Sequence, residues 1–133
     1  MTRRVASVLC ALSLVAVVGA CGGGNGDGGD DADCGGDPVN EPLAGAPEVA
    51  VVGDNFQFDP DELTVAAGDF NVSLTSEDQF HDFAIDCVPG VVEASSGETE
   101  VGGFTIDDPG EFTFYCTVPG HRSAGMEGTL TVE

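Results

Sequence analysis

From residue 48 onward, apolar and polar side chains alternate in short runs separated by turn-forming residues. Val49 to Val52 opens the series. Phe56 and Phe58 flank Gln57, Leu63-Thr64-Val65 follows Asp59-Pro60, and Val72 and Leu74 alternate with Asn71, Ser73 and Thr75. His81, Phe83 and Ile85 fall on one face of a strand and Asp82, Ala84 and Asp86 on the other. Phe104 and Ile106 flank Thr105; Phe112, Phe114 and Cys116 oppose Thr113 and Tyr115; Leu130 and Val132 lie on a last strand. No long stretch has helical periodicity. The pattern predicts about seven or eight short strands packed as an all-β, two-sheet antiparallel sandwich. Two Pro-Gly pairs predict type II turns, at Asp108–Glu111 and at Val118–His121. Residues 88–100 are rich in Gly, Ser and Glu and read as a loop or an irregular edge.

Ahead of these strands the pattern changes twice. A short basic start precedes an apolar run from about Val5 to Val18, too short for a membrane span and suited to a secretory signal. The run ends in Val18-Gly19-Ala20-Cys21, which resembles a bacterial lipobox. The expected organisation is a signal peptide over 1–20, a lipidated Cys21, a tether over 21–47 and a folded domain over 48–133. The alternative is an ordinary signal peptide with Cys21 incidental. Residues 22–47 are rich in Gly and Asp and poor in large apolar groups, so no core is expected there. They lack the spacing and closing Glu of an EF-hand. An extracytoplasmic protein follows, anchored to the cell membrane through its lipid.

Charge narrows the partners. The chain has 24 acidic residues and three basic ones. Arg3 and Arg4 fall in the signal, so Arg122 alone offsets the acids and the remainder carries −23. Such a surface repels nucleic acid and anionic lipid headgroups. It favours a cationic partner or suits a high-salt habitat, where self-repulsion is screened.

The stretch FYCTVPGHRSAGM, Phe114 to Met126, holds a cysteine, a histidine and a methionine with the spacing Cys116-x4-His121-x4-Met126. The remaining histidine, His81, lies on an upstream strand that can neighbour this loop. Singly, each has an ordinary explanation: a core methionine, a buried thiol or disulfide half, a strand histidine. Together they match a trigonal His₂Cys site with a weak axial Met, the donor set of electron-transfer copper. Thiolate and thioether stabilise Cu(I), imidazole suits both oxidation states, and little has to move when the electron comes or goes. Zinc prefers four strong ligands and is a poorer match.

Residues 49–133 resemble the small cupredoxins of the plastocyanin, auracyanin and halocyanin group. NFQFDPDELTVAAGDFNVSL is similar to the early strands of that family. FHDFAID is similar to the segment holding its first ligand histidine, and FTFYCTVPGHRSAGMEGTLTV to its ligand loop and last strand. The resemblance implies a Greek-key sandwich and one type 1 copper ion held by His81, Cys116, His121 and Met126. It implies that the His121 edge passes electrons inside a rim of Pro119, Gly120, Ala124 and Gly125. Many relatives have Asn after the first ligand histidine, where this chain has Asp82. A carboxylate only accepts hydrogen bonds, so Asp82 is expected to accept from Thr117 and steady Cys116.

Cys34 and Cys87 remain as an even pair outside the cytoplasm and are expected to form a disulfide; the alternative is two free thiols. The leading function is a monomeric, membrane-tethered one-electron carrier between redox partners, such as a cytochrome or a copper oxidase domain with a cationic docking surface. Copper storage or delivery is the alternative, though that role favours exposed Met/His tracts. An enzyme is not expected: copper oxidases and nitrite reductases need further His ligands, and both histidines are already used.

Overall fold

A computed structural model describes residues 41–133; the expectations for residues 1–20, Cys21 and Cys34 lie outside the described residues. Nine strands follow one another: β1 (Glu48–Asp54), β2 (Gln57–Asp59), β3 (Glu62–Val65), β4 (Gly68–Ser76), β5 (His81–Ile85), β6 (Val88–Ala94), β7 (Thr99–Ile106), β8 (Gly110–Tyr115) and β9 (Glu127–Val132). They form two sheets, ordered β2-β1-β4-β7 and β3-β9-β8-β5-β6. Among the described residues no helix is long and apolar enough to cross a membrane.

The all-β sandwich matches the expectation, but the sheets are mixed rather than purely antiparallel. β1 pairs parallel to β4, and β3 pairs parallel to β9. Period-two alternation tells which face a residue takes and is blind to the direction of the neighbouring strand. The strand count exceeds the expected one because Val88–Ala94, within the stretch read as a loop or an irregular edge, forms a full strand. Residues 88–100 supply the edge strand β6, which pairs with β5 through a register shift at Ala84/Ile85, and the start of β7. The expected type II turn at Asp108–Glu111 does not form. Gly110 belongs to β8 and does not take a positive φ. The chain there crosses from one sheet to the other, so no local reversal is needed.

The core is aromatic. Phe83 of β5 and Phe114 of β8 stack at 4.9 Å between centroids. Phe58, from the other sheet, meets both edge-on at 5.8 and 5.4 Å. Phe104 meets Phe83 at 5.9 Å and stacks on Phe70 at 5.8 Å. Such pairs contribute about 0.5–1.5 kcal/mol each beyond burial. Phe83 and Phe114 each stand two residues from a predicted metal ligand, His81 and Cys116. The stack joins β8 to β5, the edge-on contacts of Phe58 and Phe104 join it to the other sheet, and the cluster thereby supports the ends of both ligand-bearing strands.

The described end of the expected tether is not loose. Asn71 clasps residue 43, with Leu43 N–H donating to Asn71 Oδ1 at 2.8 Å and Asn71 Nδ2 donating to the Leu43 carbonyl at 2.9 Å. Gly103 N–H donates to the Glu41 carbonyl at 3.2 Å. A methyl group on Gly103 would sit 2.4 Å from Leu43 Cγ, so the glycine makes room for this strap. The pattern did not announce it because a strap held by main-chain bonds needs no periodicity.

Candidate metal centre

Cys116 leaves the end of β8, and its N–H donates to the Met126 carbonyl at 3.1 Å. The predicted turn at Val118–His121 forms: His121 N–H donates to the Val118 carbonyl at 3.0 Å, and Gly120 has φ +88°. One 3-10 turn, Arg122–Ala124, follows, and Gly125 ends it in the left-handed region at φ +111°. Met126 N–H then donates to the His121 carbonyl at 3.1 Å. Main-chain bonds thus join the three loop residues to one another.

His81 starts β5 and faces this loop. One nitrogen from each of His81 and His121 and the Cys116 sulfur all lie within 4.8 Å of one another, and all three side chains are buried. Cys116 Sγ is 3.5 Å from His121 Nδ1. The imidazole rings lie 5.2 Å apart. Met126 is fully buried. A methyl group on Gly53 would lie 3.1 Å from His81 Cδ2 and 3.2 Å from Met126 Cε, so both side chains end over that glycine. His81 Nδ1 is buried without a hydrogen-bond partner among the described residues. A buried nitrogen lone pair with no donor is costly unless something binds it. A soft metal ion beside a thiol and a second imidazole supplies that partner, so the residues fit copper.

Of the two imidazoles, His81 is wholly enclosed and His121 keeps 8% exposure. Pro119, Gly120, Ala124 and Gly125 are exposed around it. Asp82, 3% exposed, engages Thr117 with both oxygens, accepting from the main-chain N–H at 2.5 Å and from the hydroxyl. Cys87 is disulfide-bonded. Cys116 is free, so the partner of Cys87 lies outside the described residues.

Three neighbours of the site were not foreseen. Gly53 leaves the space just described. Phe56, 39% exposed, packs edge-on against the His121 ring at 4.9 Å. Asp78 Oδ1 lies 2.8 Å from His81 Nε2. The usable signals were an acid three residues before the histidine and an Asn-Phe pair in a two-residue hairpin turn. Partial desolvation raises the Asp78 carboxyl, but hydrogen bonds from His81 and the Asn55 main chain outweigh it and hold it below its ordinary value.

Burial pushes the Cys116 thiol from 9.0 up to about 11. Its folded value then exceeds its unfolded one, so between pH 9 and 11 the folded state holds the proton that the unfolded state has lost. Stability of the metal-free protein is expected to fall across that window by roughly 2–3 kcal/mol, at 1.36 kcal/mol per pK unit. Urea titrations at intervals of pH check this; Cys116→Ser should remove the slope. Metal binding must displace the same proton.

Comparison with known proteins agrees with this geometry. The chain is 33% identical over 94 residues to plastocyanin from Dryopteris crassirhizoma, spanning 59% of this chain and 90% of that one. Its fold matches the dithionite-reduced auracyanin of the photosynthetic bacterium Roseiflexus castenholzii with a TM-score of 0.54 at 26% identity, over 67% of this chain and 99% of that one. It also matches auracyanin A, a blue copper protein of Chloroflexus aurantiacus, with a TM-score of 0.58 at 24% identity, over 67% of this chain and all of that one. Residues 46–133 match the model of the copper-binding proteins of the plastocyanin/azurin family, and the chain belongs to that family.

Proposed function

We propose that the protein is a one-electron carrier whose copper ion, held by His81, Cys116, His121 and Met126, cycles between Cu(I) and Cu(II). The observation that carries this reading is the buried convergence of two imidazoles and one thiol beside a buried methionine, with His81 Nδ1 lacking a hydrogen-bond partner among the described residues. When bound, copper supplies the redox change. The chain holds the donors in place through its loop bonds, shuts out water, and leaves only the His121 edge near the surface. Storage or delivery fits less well, because a single enclosed site exchanges metal slowly.

In this reading the protein is a monomer, lipid-anchored through Cys21 on the outer face of the cell membrane. Cys34 is the partner of Cys87 and ties the tether to the sandwich; a non-reducing peptide map showing Cys34 as a free thiol would refute that pairing. The redox partner is a protein with a cationic docking face, which the acidic surface steers. The one described cation does not oppose it. Arg122 is paired with Asp86 and Glu127 at 3.1 Å and lies 4.0 Å over the Tyr115 ring.

Titrating the metal-free protein with Cu(II) tests the carrier reading. A strong visible thiolate-to-copper band that bleaches with reductant and returns with oxidant supports it, and its absence overturns it. Stopped-flow oxidation by a basic and an acidic cytochrome should favour the basic one, by a margin that shrinks with salt.

Asp82 is proposed to hold the Cys116 end of the loop through Thr117. Asp82→Ala is expected to weaken Cu(II) binding about tenfold, the lower range for loss of a ligand's supporting bond. Competition with a chelator measures it, and an unchanged affinity and reduction potential would remove this role.

A further inference from the structure

A neutral imidazole carries one proton, and the group facing each nitrogen decides where it sits. His81 Nε2 faces a carboxylate oxygen of Asp78 at 2.8 Å, while Nδ1 faces the buried side with no partner among the described residues. A carboxylate only accepts, so this pairing puts the proton on Nε2 and leaves the Nδ1 lone pair for the metal.

Asp78 is itself held in place. Its main-chain carbonyl accepts from Ser96 Oγ at 3.1 Å, and the next carbonyl, of Gln79, accepts from the fully buried Ser76 hydroxyl. Its other carboxylate oxygen accepts from Asn55 N–H at 3.3 Å. Asn55 and Phe56 form the two-residue turn between β1 and β2, both with positive φ, at 45° and 63°. Positive φ is uncommon for a bulky residue such as Phe, so outside contacts must hold this turn. Phe56 is the residue packed on His121. One carboxylate therefore touches one ligand histidine directly and the element covering the other.

We propose that Asp78 is a positioning residue of the copper centre: it fixes His81 with Nδ1 toward the metal, and its charge, relayed through the imidazole, favours Cu(II) over Cu(I). The proposal rests on the copper reading above. A carboxylate behind a ligating imidazole makes the ring a stronger donor, which the more highly charged ion uses better. Side-chain exposure of 36% keeps the effect moderate.

Asp78→Asn keeps an acceptor for Nε2–H but loses the charge. It should retain the visible band while the preference for Cu(II) over Cu(I) falls about tenfold, a rise of about 59 mV in reduction potential. Glu77→Gln, which neutralises the exposed acid next door, should move the potential far less. An equal shift in the two variants, or none in Asp78→Asn, overturns the charge role. Nitrogen-15 NMR of the metal-free wild-type chain tests the placement without copper or folding of a variant. His81 should appear as the Nε2–H tautomer, and an Nδ1–H tautomer overturns the positioning. A chain that takes up no copper would defeat the copper reading instead, and the tautomer would still decide whether Asp78 orients His81.

Discussion

Cys116→Ser is expected to abolish the visible band on Cu(II) addition and to weaken copper binding by more than the 10–100-fold that follows loss of a supporting bond. The thiol is the one soft anionic donor in the cluster. A serine hydroxyl remains protonated at neutral pH and offers no comparable charge transfer. The fold should survive, because the replacement removes little volume and Cys116 is held mainly by its main-chain bond to Met126. Visible spectra, chelator competition and an unchanged far-ultraviolet circular dichroism spectrum together check the result. A variant that kept the band would mean that another group supplies the donor.

Gly128→Ala is expected to be the most damaging small substitution in the sandwich. A methyl group there would lie 2.3 Å from Phe114 Cζ and 2.4 Å from the Asp61 main-chain oxygen. The aromatic ring could turn only by leaving its stack with Phe83. The carbonyl cannot retreat, because it accepts from Thr129 N–H at 2.8 Å. Overpacking costs about 1–3 kcal/mol, and two simultaneous clashes belong at the upper end, near ~3 kcal/mol. For a domain of this size that lowers the melting temperature by roughly 12–24 °C. Thermal melts of the metal-free variant measure this directly. Copper affinity should fall as well, since Phe114 stands two residues before Cys116.

Much of this was legible beforehand because local patterns carry it. Alternation at Asn71 to Thr75, His81 to Ile85 and Phe112 to Cys116 placed the core faces. The Val118–His121 turn formed as expected because its Pro and Gly act within four residues. The donor set was legible because so few Cys, His and Met residues exist to choose among. What was hidden depends on distant partners. Nothing in Leu63 or Leu130 says that their strands run side by side in the same direction. The Asp108–Glu111 motif was misleading because a Pro-Gly pair in a crossover is relieved of turning. Gly53 and Asp78 work through space they leave or atoms they meet across the fold, which a residue's own neighbours in the chain do not reveal.

The strap at residues 41–47 has a mechanical side. A pull along the main chain at residue 41 enters the sandwich at Asn71 and Gly103, which clasp the strap, whereas one carried by the disulfide enters at Cys87, between β5 and β6. Asn71 stands five positions before Ser76 on β4, about 16 Å along the strand. The metal-ligand loop, between β8 and β9, belongs to the other sheet. Load entering through the strap is therefore borne first by β4 and β7. The strap thus braces the sheet away from the ligand loop, and the Cys87 disulfide braces the sheet that carries it.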